Sequence, residues 1–268
     1  MIPLGFIRSG AATATVKAAT FDGTSKAVWD SMLGTTNSSK LIQAGCFRLP
    51  SDFTASVDQP IFMGDYTFQI GLEVLAASNE IQYHLQGNSN PLWPTPVKFN
   101  FNKTTDLEKN VYFLLSVRLT GYNVPTVAYL YVKIGAQDMH AFETPPVDYY
   151  ANSSIRNVGF VQMGGHPATS TKTKCKIGPF WSYHYDGGTN YFDGTDTEVW
   201  QDFWGAGSHL AATECVPQFV TADGAFTGGT TATTYPAPQW LIDWTSLVNK
   251  GSNGQTATET GTPVYGNW

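Results

Sequence analysis

Hydrophobic and polar positions alternate along much of the chain, and the clearest alternation lies near its middle. Over residues 111–135 two apolar runs flank a Gly/Asn/Pro break at residues 121–125. In the first run Val111, Phe113, Leu115, Val117 and Leu119 share one parity, while Ser116, Arg118 and Thr120 fall on the other. In the second, Ala128, Leu130, Val132 and Ile134 alternate with Val127, Tyr129, Tyr131 and Lys133. Successive strand side chains point to opposite faces, so each run predicts a strand with one buried face. Gly121 and Asn123 tolerate positive φ and Pro125 stops the ladder, so the two runs predict a hairpin. An isolated hairpin is only marginally stable in water, and the rest of the chain must supply further strands and a second sheet.

Residues 1–15 are mostly small and apolar and read as an N-terminal arm. Residues 16–21 predict a strand, with Asp22-Gly23 as a tight turn into a second one at 26–29. Residues 41–50 predict another, ended by Pro50 because proline cannot donate to a ladder. Residues 66–77 and 80–87 alternate well, and Ser78-Asn79 predicts the turn between them. Strands are also predicted at 97–101, 156–163 and 174–185, with a long connection over 139–154 broken by Pro145-Pro146.

One segment, TDTEVWQDFWG, has helical spacing instead. Thr195 and Glu198 have the three-residue spacing of a capping box, and Gly205 suits the left-handed C-terminal position. Val199 with Phe203, and Trp200 with Trp204, make two i,i+4 pairs, so this helix hides one side. Residues 213–268 are rich in Gly and Thr and read as a β-rich C-terminal extension, packed on its own domain or exchanged with a neighbour. Strands joined mainly by hairpins and loops predict antiparallel sheets packed face to face. A closed barrel suits so many strands of unequal length less well.

Composition narrows the classes. Charged residues are only 13% and aromatics 14%, the reverse of a disordered chain. The formal net charge of −6 and the lack of any Lys/Arg run argue against a nucleic-acid surface. No apolar run approaches the roughly 20 residues that span a bilayer, and the N-terminus lacks the basic start and long apolar core of a signal peptide. Cys46, Cys175 and Cys215 are odd in number and irregularly spaced. They read as buried free thiols, which fits synthesis in a reducing cytosol.

The order of motifs resembles a known superfamily. FDGTSKAVWD (21–30) is followed by LIQAGCFRLPSD (41–52), LYVKIG (130–135), VGFVQMGG (158–165) and KIGPFWSYHYDG before a short helix. This resembles the LamG-like, concanavalin A-like jelly-roll superfamily. Downstream, FWGAGSHLAATECVPQFVTADGAFTGG and the glycine-spaced stretch 249–261 resemble the tail of LamG-like proteins encoded by tailed bacteriophages and prophages. Lys26-Ala27 stand where an aromatic is common in the superfamily, and Lys133-Ile134 replace the usual Asn. The resemblance implies an all-β, antiparallel two-sheet jelly-roll sandwich over residues 16–212, with one short helix and the C-terminal extension.

Signatures of chemistry are sparse. Glycoside hydrolases of this superfamily carry a Glu-x-Asp-x-x-Glu or Glu-x-Asp-x-Glu strand, because retaining hydrolysis needs two carboxylates about 5 Å apart. No such triplet occurs, and Glu73, Glu80, Glu108, Glu143, Glu198 and Glu214 are isolated in sequence. No histidine pair has metal spacing, and no GxSxG or P-loop is present. His184 on a predicted strand reads as a hydrogen-bonded structural histidine.

Superfamily members often bind calcium. Asp186, Asp193 and Asp196 share one Gly-rich loop of the kind that suits it, although Asx-turns ahead of a helix account for them as well. Trp93, Tyr122, Tyr149, Tyr150 and Tyr191 are the loop aromatics that would stack on a sugar, or pack on the sandwich edge.

The expected function is a non-enzymatic structural protein of a phage virion, made in the host cytoplasm, as a capsid decoration, fibre or tail component. It would need no cofactor, and its partners would be copies of itself and other virion proteins, with no nucleic acid and no membrane. A carbohydrate-binding adhesin for host-surface glycans is the alternative, and a glycoside hydrolase the second.

Overall fold

The computed structural model describes residues 16–30, 37–38, 40–64, 70–85, 97–118, 125–126, 128–143, 147–148, 155–156, 160–165, 171–185, 196–218, 238, 240–248, 250–251 and 256–268. In chain order the strands are β1 (Lys17–Asp22), β2 (Lys26–Asp30), β3 (Asn37–Ser38), β4 (Lys40–Arg48), β5 (Gln59–Gly64), β6 (Ile70–Val74), β7 (Glu80–Leu85), β8 (Val97–Asn100), β9 (Val111–Arg118) and β10 (Pro125–Thr126). They continue with β11 (Ala128–Ile134), β12 (His140–Glu143), β13 (Val147–Asp148), β14 (Ile155–Arg156), β15 (Phe160–Met163) and β16 (Lys174–Tyr185). The helix α1 (Asp196–Trp204) precedes β17 (Trp240–Ile242), β18 (Thr258–Thr260) and β19 (Val264–Asn267).

All pairings are antiparallel. The largest sheet has eight strands, in the order β12-β11-β9-β4-β16-β1-β19, with β17 added beside β16; the next has seven, in the order β18-β2-β15-β5-β6-β7-β8; β10 with β13 and β14 with β3 form two-stranded pairs. The molecule is thus the all-β two-sheet sandwich that the alternation predicts, and the jelly roll that the resemblance implies. Its two layers meet through residues of one parity. Val111, Phe113 and Leu115 of β9 and Leu130, Val132 and Ile134 of β11 face Ile61, Leu72, Ile81 and Tyr83 of the other sheet. The Phe62 ring stacks on Phe113 across this core, centroids 5.6 Å apart. A Cβ on Gly45 would lie 2.8 Å from the Phe113 ring, so glycine is required there.

Two predictions need correction. The Asp22-Gly23 turn forms, with Gly23 at φ 84°, but it does not close a hairpin. β1 pairs β16 and β19, whereas β2 pairs β15 and β18 in the opposite sheet. The Asp22 carboxylate accepts from the Thr24 amide at 2.8 Å and the Ser25 hydroxyl at 3.0 Å, and this local knot turns the chain from one layer to the other.

The central hairpin pairs as predicted, Leu130 opposite Leu115, yet both of its faces are buried. Helix α1 lies over the outer face of the eight-stranded sheet and forms a second core with Ile42, Ala44, Tyr112, Leu114, Tyr131 and Trp181. Val199, Trp200, Phe203 and Trp204 are all buried there, and Gly205, at φ 91°, ends the helix. Trp204 meets Trp181 and Tyr112 edge-on, at 5.5 and 5.1 Å between centroids.

Lys133 belongs to this second layer. It is 1% exposed, and its ammonium donates to the carbonyls of Ser208, Leu210 and Thr213, which fixes the turn after α1. The residue that departs from the superfamily pattern therefore has a structural task in this chain. The three cysteines are buried and free. Residues 240–242, 258–260 and 264–267 of the C-terminal region supply strands to both sheets.

Candidate functional site

The two outer faces of the sandwich differ in chemistry. Residues directly opposite each other on antiparallel strands project from the same face. Register therefore places Val28, Gln162, Met63, Gly71 and His84 in one row across β2, β15, β5, β6 and β7. The adjacent row holds Glu73, Gln82 and Lys98. Both rows lie on the side of the seven-stranded sheet away from the core, because Leu72, Val74, Ile81, Tyr83 and Phe99 occupy the core side.

The centre of this face is a three-residue polar cluster. Glu73 Oε2 lies 2.8 Å from Gln82 Nε2 and 2.8 Å from His84 Nε2. One carboxylate oxygen thus accepts from an amide and from an imidazole. A ring nitrogen that donates to Glu73 has no lone pair left for Gln82, so the 2.8 Å approach of Gln82 to His84 is then a contact rather than a bond. The Glu73 and His84 side chains are 13% and 20% exposed. On the same face but two strands from Glu73, Gln162 is buried, and among the described residues its Nε2 has no hydrogen-bond partner. A buried amide normally finds one, and Met63, its cross-strand neighbour, is buried as well.

Beneath the cluster, Tyr83 donates to Gln43 Oε1, and Gln43 donates to Ser182 Oγ at 3.1 Å, a polar chain that crosses the core between the sheets. Burial pushes the Tyr83 phenol well above its ordinary pKa, so it stays a donor.

This arrangement suits hydrogen bonding to hydroxyl groups. The second acid of the same parity, Glu80, accepts from Ser78 Oγ at 2.9 Å and lies 3.7 Å from Lys98 Nζ. Glu73 is isolated in sequence but not in space. The hairpin register joins it to Gln82 and His84, and the polar parity Glu80, Gln82, His84 was the available signal.

Trp93, Tyr122, Tyr149, Tyr150, Tyr191, Asp186 and Asp193 lie outside the described residues. Asp196 opens α1, and its side chain is likewise outside them. His184 lies on β16 opposite Leu41. Among the described residues no group of three metal-ligating side chains comes together.

No protein-family model matches the chain, and no curated protein matches it. Solved structures do. A heptameric SAP-like pentraxin from Limulus polyphemus is 10% identical, with 94% of this chain and 95% of that one covered and a TM-score of 0.49. Domains LG4-5 of the mouse laminin alpha1 chain are 13% identical over 63% of this chain, at a TM-score of 0.43; the match spans 41% of that chain's length. The alginate lyase vAL-1 from Chlorella virus is 13% identical over 60% of this chain and 84% of its own, at a TM-score of 0.37. The fold stated above rests on this chain's own strand order.

Proposed function

We propose that the protein is a non-enzymatic structural component of a bacteriophage particle, a capsid decoration, fibre or tail part, that works by binding copies of itself and other virion proteins. The observation that carries this reading is the edge formed by β18 and β19. These strands end the two sheets on the same side of the sandwich, where Tyr265 is hydrogen-bonded to Glu259. Val264 and Tyr265 are 64% and 42% exposed. Edge strands offer unpaired N–H and C=O groups, and exposed apolar side chains there favour pairing with another chain. The motif order and the glycine-spaced stretch 249–261 supply the phage setting.

Light scattering of the purified chain tests it, together with recovery from purified particles. A closed oligomer is expected, reduced to monomers by Val264→Glu. A monomer at every concentration that is also missing from particles would refute the proposal.

Glycan binding is the second reading, favoured by the partly exposed Glu73 and His84, which join Gln82 in one hydrogen-bonded cluster. On a glycan array, saturable binding that falls about tenfold in Glu73→Gln would support it, and binding unchanged by that substitution would remove this face from the account.

A further inference from the structure

The outer face of the eight-stranded sheet is not wholly covered by helix α1. Beyond the helix a groove of about 260 Å³ opens over β1, β16 and the end of β4. Thr20, Lys176 and Arg48 form one row across these three strands, and Asp22 and Lys174 the next. Glu108, in the left-handed region at φ 64°, closes one end.

The charges in this groove are unevenly paired. Lys174 is bonded to Asp52. Arg48 Nε donates to Asn110 Oδ1 at 2.8 Å, which orients the guanidinium, and among the described residues Arg48 has no ion pair. The Lys176 ammonium has neither a hydrogen bond nor an ion pair among them. Both cations rest on the Trp268 ring, 5.6 and 5.7 Å from its centroid. Burial, and then the charge of Arg48, hold the Lys176 pKa below its ordinary value. Two like charges held together at a groove, with neither in an ion pair among the described residues, suit an anion.

The other walls decide which anion. Asp22 and Glu108 also line the groove. They repel a multiply charged phosphate or sulfate but accept hydrogen bonds from hydroxyls, as Thr20 can. We propose that this groove binds an acidic saccharide unit, a singly charged hexuronate, with its carboxylate on Arg48 and Lys176 and its hydroxyls toward Thr20, Asp22 and Glu108. The groove adjoins the β18–β19 edge, since Thr20 lies opposite Val264, but its cations belong to β4 and β16, so a ligand there is tested apart from assembly through that edge; the Glu73 cluster lies on the other sheet.

The test titrates the full chain with sodium glucuronate, and with glucose and sodium sulfate as controls. It follows the Trp268 indole N–H by NMR, assigned from its loss in Trp268→Phe. Glucuronate is expected to shift that signal saturably, with glucose and sulfate each weaker by about tenfold or more. Lys176→Gln breaks no hydrogen bond in the structure and so keeps the fold; it should weaken glucuronate about tenfold, and Arg48→Gln at least as much. The proposal is overturned if glucuronate leaves Trp268 unmoved, if Lys176→Gln binds it as the natural chain does, or if sulfate binds equally well. A response to an acidic peptide but not to glucuronate would assign the groove to a protein partner and overturn it too.

Discussion

The two outer faces of this sandwich begin from the same alternating pattern and end with different chemistry. On the eight-stranded sheet the parity that points away from the core carries Ile42, Ala44, Tyr112, Leu114, Tyr131, Trp181 and Tyr183, all buried in the second core beneath α1. On the seven-stranded sheet the same parity carries Glu73, Gln82, His84 and Gln162. A sheet that is apolar on both parities needs a cover on both sides, and the chain spends its helix on it. The outward positions of the seven-stranded sheet are covered at β15 and β5, where Gln162 and Met63 are 1% and 2% exposed, and partly open at β6 and β7, where Glu73 and His84 are 13% and 20% exposed. The identity of the off-core residues, rather than the strand pattern itself, separates the two faces.

That contrast can be broken at the covered face first. Trp204 is fully buried between Trp181 and Tyr112. Trp204→Ala should cost about 3–5 kcal/mol, read as a thermal midpoint lowered by roughly 10 °C. A cost below about 1 kcal/mol would mean that the helix layer is not packed as described.

Lys133→Met is the next largest. It keeps the apolar stem but leaves three carbonyls of the post-helix turn without their shared donor, for about 2 kcal/mol in chemical denaturation. Unchanged stability would show that water replaces the ammonium and that the turn is not held by it.

The smallest effect belongs to the seam between the faces, where Asp22 turns the chain from one sheet to the other. The Thr24 amide and hydroxyl hold its carboxyl at about 2, below the ordinary 3.8. A depressed carboxylate stabilises the folded state above 3.8, and this contribution fades as pH falls from there through about 2. Asp22→Asn should therefore remove part of the stability loss in that window. Because Asp22 is exposed, the difference at neutral pH should stay under about 1 kcal/mol. Identical acid-unfolding curves for the two proteins would rule out this role.

Much of the fold was legible in the chain. β16, the central pair β9 and β11, and the amphipathic helix follow from period-2 and period-3.6 spacing over long segments. Short elements were not. β12 lies inside the stretch read as a connection, and β18 and β19 carry TET and VYGN, too polar and too brief to show alternation. Nor could spacing reveal that Asp22-Gly23 joins two different sheets, since a tight turn looks the same whichever ladders its flanks enter. The Glu73 cluster was hidden for a related reason. Its members are brought together by register, and register depends on the turn and the core, not on the three residues themselves.

One pairing also governs how the molecule forms. Lys17 of β1 is bonded to Asn267 of β19, 250 residues away along the chain. β1 meets its other neighbour, β16, only after the whole centre of the chain has been traversed. Contacts of such separation delay folding, because the loop must close before the ladder rewards it. In the order of synthesis β1 therefore stays unpaired in this sheet until β16 has been made, and gains its second neighbour only with β19.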